Sequence, residues 1–184
     1  MLQQDIKELV NQSIQGNEHA FRKLVETHQA MIYSLAFRML CDEDEAKDIV
    51  QETFIKVWKH LSRYDTDLKF STWLFTISSN LCYDRLRVLK RKKVFRSIDK
   101  VDLNQFDFKS SENIESCVIN SELAKIIAGL TGELTPKQKL VFTLRDLEGL
   151  EVTEIKSITG LTTGKIKSNI YLARQFIRKK LENM

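Results

Sequence analysis

Apolar positions recur at steps of three and four along most of this chain, a spacing that predicts helices rather than strands. Phe21, Leu24, Val25, His28, Ile32, Leu35, Ala36 and Met39 mark a first long amphipathic helix. After a short acidic turn, residues 45–61 carry Ala46, Ile49, Val50, Phe54, Val57, Trp58 and Leu61 as a broad stripe that must face a core. A polar segment, Ser62–Lys69, leads to a third helix from about Ser71 into the basic run of residues 85–96, with Trp73, Leu74, Ile77 and Leu81 inside. Three helices with short connections make an all-α unit. Periodicity then lapses over residues 92–116, rich in Asp, Asn, Ser and Lys, which read as a flexible linker.

Helical patterning resumes at about residues 117–130. Thr135-Pro136-Lys137-Gln138 is a strong start signal, with Thr as N-cap, Pro in the first turn and Gln closing a capping box. The helix it opens carries Leu140, Val141, Leu144 and Leu147, and Gly149 supplies the stop. Two more helices are expected, at about 152–159 and 163–181. The predicted fold class is all-α. An N-terminal helical bundle (1–91) and a C-terminal four-helix domain (117–184) flank the linker.

Residues 45–61 also present a second face: Asp48, Gln51, Glu52, Ile55 and Lys59. Ile55 is an apolar side chain alone among carboxylates and an amide. An isolated exposed Ile is often harmless, but this arrangement also resembles the apolar anchor and polar rim of a docking patch.

Residues 151–174 have the layout of a helix-turn-helix. Ile155 and Ile158 hold the first helix inward, Gly160 permits a tight positive-φ turn, and Thr162 or Thr163 caps the next helix. Ile166 and Ile170 bury its inner side, leaving Lys165, Lys167, Ser168, Tyr171 and Arg174 outward near its N-terminal half, where they can enter a major groove. The third helix offers a comparable face, Thr72, Thr76, Ser79, Asn80, Tyr83 and Arg87, suited to phosphate contacts with some base reading. The loop before it, Tyr64–Phe70, is bounded by aromatics that either stack on an unstacked base or simply fill the core. Trp73 is expected in the core.

The net charge is only +4, but residues 42–48 (DEDEAKD) are acidic while residues 85–96 (RLRVLKRKKVFR) and the tail with Arg174, Arg178, Lys179 and Lys180 are basic. Such segregation suits one surface for a polyanion and another for a different partner. Cys41, Cys82 and Cys117 are odd in number and widely spaced, which suggests reduced thiols in the cytoplasm and speaks against zinc or a disulfide framework. No apolar run approaches the ~20 residues of a membrane span, and Met1–Val10 lacks the layout of a signal peptide.

Asp48-Ile49-Val50-Gln51-Glu52-Thr53-Phe54, then Phe70-Ser71-Thr72-Trp73-Leu74 with Ile77 and Asn80, resemble the first conserved domain of extracytoplasmic-function (ECF) sigma factors of the sigma-70 family. Leu144-Arg145-Asp146-Leu147-Glu148-Gly149-Leu150, Glu154-Ile155, and Gly164-Lys165-Ile166-Lys167-Ser168 with Ala173-Arg174 resemble their C-terminal domain. The resemblance runs from about Phe21 to Leu181, the linker excepted. It implies that Asp48, Gln51, Glu52 and Ile55 dock on the clamp helices of the largest subunit of core RNA polymerase. It also implies that Tyr64, Phe70, Thr72, Thr76, Asn80, Tyr83 and Arg87 recognise and melt the minus-ten promoter element. Lys165, Lys167, Ser168, Tyr171 and Arg174 would read the minus-thirty-five element, and the linker would thread through polymerase near the RNA exit path. A separate anti-sigma protein is implied as regulator. The family usually has Ala at the position of Lys156, and often basic residues where Asn169 and Leu172 stand and a basic or polar residue where Tyr171 stands; the recognition role therefore carries over without a promoter sequence.

No cofactor is implied and the protein is expected not to be an enzyme. Glu45, Asp48 and Glu52 line one helix, as in di-metal bundles, but His19, His28 and His60 supply no Glu-x-x-His partner. The rival reading is a stand-alone helix-turn-helix regulator binding duplex DNA as a dimer, which would not need the faces around Ile55 and Asn80.

Overall fold

A computed structural model describes residues 3–96, 126 and 129–182. Helix α1 (Gln3–Ile14) is an element that the sequence reading did not mark, although Ile6, Leu9, Val10 and Ser13 follow helical spacing and Val10 is buried. Asn17 caps α2 (Glu18–Leu40): its Oδ1 accepts from the N–H of His19 at 3.0 Å and of Ala20 at 3.1 Å. Cys41 ends α2 in the left-handed region at φ 55°, an uncommon conformation for a non-glycine residue. Asp42 then caps α3 (Glu43–His60) through the Glu45 N–H, at 2.9 Å. The acidic run is therefore largely a helix start, with Glu43, Asp44 and Glu45 in the first turn at the positive end of the helix dipole.

A single 3-10 turn, Leu61–Arg63, leads into the loop before α4 (Phe70–Arg96). With no Gly or Pro to stop it, α4 runs through the basic run, as expected, and ends five residues past the expected domain boundary at 91. Leu24, Ile32, Leu35, Ile49, Val57 and Leu74 are fully buried where α2, α3 and α4 meet. Trp58 corrects the predicted stripe: it stands at the rim, 43% exposed, edge-on to Phe21 at 4.7 Å.

In the C-terminal part, residues 129–131 are helical and α5 (Pro136–Phe142) begins at the predicted capping box. Gln138 N–H donates to Thr135 Oγ1 at 3.3 Å while Thr135 N–H donates to Gln138 Oε1 at 2.9 Å. A π-turn, Thr143–Leu147, follows without a break and closes at Gly149, φ 71°. Its wider turn advances each residue by a smaller angle, so Leu144 stays buried while Leu147 swings off the predicted stripe to 48% exposure. Helices α6 (Val152–Thr159) and α7 (Thr163–Leu181) complete the unit. The expected helix at 117–130 and the expected linker lie largely outside the described residues.

The two units touch. Helix α6 packs on α4, while α5 and the π-turn approach α2, so the buried apolar cluster continues from Val10 to Ile170.

Candidate DNA-reading and polymerase-docking surfaces

Three surfaces carry the expected functional residues. On α3, Asp48, Gln51 and Ile55 are exposed, with Ile55 at 53%, while Ile49 and Val57 anchor the opposite side. Glu52 is half-buried, because Arg85 of α4 reaches across to it. Arg85 Nη2 donates to Glu52 Oε1 at 3.0 Å, and Arg85 Nε lies 2.9 Å from Glu45 Oε2. The face bearing Asp48, Gln51 and Ile55 is thus braced by the next helix through Arg85, a residue that no pattern within α3 points to.

The second surface is the loop and first turns of α4. Tyr64 donates its hydroxyl to the Leu68 carbonyl, and Asp67 N–H donates to Asp65 Oδ1 at 2.9 Å, so both ends of the loop are tied down. Tyr64 tilts over Trp73 at 5.2 Å and meets Phe70 edge-on at 5.3 Å. Phe70 is buried and stands edge-on to His28 of α2 at 5.2 Å. This corrects the expectation that Phe70 contacts DNA; its ring holds the loop against the core, and Tyr64 is the aromatic left half-exposed. His28 is itself buried, its Nδ1–H donates to the Leu24 carbonyl at 2.8 Å, and burial lowers its pKa below the ordinary imidazole value.

Further along α4 the expected face divides. Asn80 and Arg87 are exposed, Thr76 and Tyr83 are half-buried, and Thr72 and Ser79 are buried. Thr76 spends its hydroxyl on the Thr72 carbonyl, at 2.9 Å. Burial pushes the Tyr83 phenol up to about 12 and the Cys82 thiol likewise to about 12, so both stay protonated at neutral pH.

The third surface is the helix-turn-helix. Glu151 N–H is received by Glu154 Oε2 at 2.9 Å, and Gly160 at φ 66° closes α6, donating its N–H to Lys156 O at 2.9 Å. Thr162, not Thr163, caps α7, accepting from the Lys165 N–H at 3.4 Å. Ile166, Ile170 and Ala173 are buried against the domain. Lys165, Lys167, Ser168, Tyr171 and Arg174 are all exposed on one outer face, as the spacing requires. Arg174 grips Asp146 of the π-turn with two hydrogen bonds, Nε to Oδ2 at 2.9 Å and Nη2 to Oδ1. A bidentate guanidinium at that point ties α7 to the π-turn.

Residues 24–92 match the model of Sigma-70 region 2, and residues 125–177 match that of Sigma-70 region 4. The ECF RNA polymerase sigma factor SigW of Bacillus subtilis (strain 168) is 31% identical over 185 residues, 97% of this chain and 98% of its own. The chain belongs to the ECF sigma factors. The ECF RNA polymerase sigma-E factor of Escherichia coli (strain K12) is 30% identical over 178 residues, 95% of this chain and 93% of that protein. Among solved structures, CnrH in complex with the cytosolic domain of CnrY superposes with a TM-score of 0.72 at 23% identity, covering 97% of this chain and 98% of CnrH. RpoE of Bartonella quintana, solved with the anti-sigma factor NepR, gives 0.67 at 22% identity, covering 88% of this chain and 96% of RpoE.

As a sigma factor, the chain serves transcription initiation, binding core RNA polymerase and promoter DNA. The stand-alone regulator is not favoured, because region 2 occupies the half of the chain that such a protein would give to dimerisation. Region 2 ends at residue 92 within α4, so the family boundary falls inside a continuous helix.

Proposed function

We propose that the three surfaces divide the work of initiation as follows. Asp48, Gln51 and Ile55 dock on the clamp helices of the polymerase largest subunit, with Glu52 held in place by Arg85. The observation that carries this is the exposure of Ile55 at 53% on a helix whose Ala46, Ile49, Phe54 and Val57 are spent on the core, its neighbours on that face being acid and amide. Tyr64, Thr76, Asn80, Tyr83 and Arg87 take the minus-ten element: the half-exposed Tyr64 ring, beside Trp73, can enclose an extruded base, and Asn80 presents both donor and acceptor to it. Lys165, Lys167, Ser168, Tyr171 and Arg174 read the minus-thirty-five element in the major groove.

Each DNA module is small and binds weakly alone; polymerase fixes their separation, so two weak contacts add through effective concentration. The protein itself catalyses nothing and works in the cytoplasm with polymerase. Among the described residues no helix is long and apolar enough to cross a membrane. An anti-sigma protein restrains it, as NepR accompanies the Bartonella quintana protein.

The test is run-off transcription by bacterial core RNA polymerase on fragmented genomic DNA, with and without this protein. New discrete starts sharing two upstream elements are expected. No polymerase binding and no starts, with tight duplex binding by the protein alone, would return the reading to a stand-alone regulator.

A further inference from the structure

Two large apolar side chains stand on the outer face of α7, where lysines alone would serve to hold phosphates. Tyr171, 61% exposed, is the most exposed large hydrophobic side chain among the described residues, and its neighbour Leu172 is 46% exposed. Neither is needed by the core, because Ile166, Ile170 and Ala173 bury the opposite side of the helix. One exposed Leu is ordinary on a protein surface. An adjacent apolar pair between lysines, in the first half of a recognition helix, stands where base edges are read.

Helical geometry sets the order of these side chains. At about 100° per residue they run around the outer face as Lys165, Leu172, Ser168, Tyr171 and Lys167, with the two lysines roughly 160° apart. The lysines therefore edge the strip, on the sides that meet the phosphate walls of a major groove, and leave its centre to Leu172, Ser168 and Tyr171. Polar groups nearby are already engaged. Asn169 Nδ2 donates to the Lys165 carbonyl at 2.7 Å, and both carboxylate oxygens of Asp146 hold the Arg174 guanidinium. Tyr171 Oη accepts from Gln175 Nε2 at 2.6 Å, which ties the polar end of the ring to the following turn. What the strip offers a base edge is hydrocarbon and one hydroxyl. The matching feature in the major groove is the C5 methyl of thymine, which distinguishes it there from the other three bases.

We propose that Leu172 and Tyr171 determine the specificity of the minus-thirty-five reader and select thymine through its methyl group. This selection rests on the minus-thirty-five role of α7. Lys165 and Lys167 supply affinity, since phosphate contacts carry no base information of their own. Each thymine methyl buried against the apolar pair is worth about three- to fourfold in affinity, the effect of one methyl-sized group leaving water. The element read therefore has thymine at the steps that face Leu172 and Tyr171.

The probe is the duplex promoter fragment that gives the strongest new start in run-off transcription, made in two forms. One is natural; the other carries deoxyuridine for every thymidine of the minus-thirty-five element, which removes the methyls and keeps the base pairing. Fluorescence anisotropy reads binding by holoenzyme built with the wild type, Tyr171→Ala/Leu172→Ala, Leu172→Met or Lys167→Ala. Wild-type holoenzyme should lose about three- to fourfold in affinity for each thymine contacted. The double variant should bind both forms equally, while Leu172→Met, which keeps an apolar tip, should keep the discrimination. Lys167→Ala should weaken both forms alike and lower the log–log salt slope by about one. All variants should unfold at the wild-type temperature, since these side chains are exposed. Equal binding of the two forms by wild-type holoenzyme, or undiminished discrimination by the double variant, would overturn thymine selection. So would a minus-thirty-five element without A·T pairs. Run-off transcription keeps the two readings apart: starts without discrimination sink thymine selection alone, and no starts at all sink the assignment of α7 with it.

Discussion

Arg85 Nη2 donates to Glu52 Oε1 across the α3–α4 seam at 3.0 Å, so the helix assigned to polymerase is held by the helix assigned to DNA. The guanidinium is about one-quarter exposed, and its carboxylate partners about one-quarter and one-half, so solvent screens the pairs. Arg85→Met should therefore lower unfolding stability by only about 1 kcal/mol, measured by urea titration. Polymerase affinity should fall several-fold, because Glu52 loses its orientation. A stability loss with unchanged polymerase affinity would show that the brace serves folding alone.

Ile55 separates binding from folding most cleanly. It touches solvent while Ile49, Phe54 and Val57 hold α3 in the core. Ile55→Asp should change stability by no more than about 0.5 kcal/mol, as for other surface changes. It should reduce core polymerase affinity at least tenfold, the loss of an anchor at the centre of a patch. Thermal unfolding and a fluorescence titration with core polymerase check the two halves.

Gly160 makes the turn of the helix-turn-helix at φ 66°, and a Cβ added there meets nothing within 4 Å. Any cost of Gly160→Ala is thus backbone strain, not collision, and should be about 1 kcal/mol. Gly160→Val should cost more, since branching at Cβ disfavours positive φ further. Chemical unfolding should show this order, and the holoenzyme's affinity for duplex minus-thirty-five DNA should follow it.

His28 makes acid stability testable. Burial lowers its folded pKa below the ordinary 6.5, so between those two values the unfolded chain binds a proton that the folded chain does not. Stability is then fully present above about pH 6.5 and declines as pH falls through the lowered value. His28→Gln should flatten that part of the pH–stability curve, at a lower overall stability because the ring against Phe70 is lost. An unchanged slope would assign the acid limb to other groups.

Much of the fold was legible before any coordinates. Capping chemistry located the start of α5 at Thr135–Gln138 and the turn at Gly160, because these signals depend on a few adjacent residues. The outward face of α7 followed from Ile166 and Ile170 for the same reason. Misses came where local rules compete. The π-turn at Thr143–Leu147 carries no composition signal and rotates Leu147 out of its stripe. Trp58 and Phe70 are both aromatics on a helix; spacing cannot tell that the first sits at the rim and the second between His28 and Tyr64.

Helices α2 to α4, α6 and α7, the start of α5, the caps at Thr135 and Gly160, most of the inward stripes and the family follow from the sequence alone, since each depends on residues within a few turns of one another or on motifs read in order. That Arg85 braces Glu52, that Arg38 meets Glu148 and that α6 covers part of α4 emerges only once the helices are packed together. Those partners are separated by 33 to 110 residues, and no periodicity within one helix encodes which charged or hydroxyl side chains another helix will bring to it.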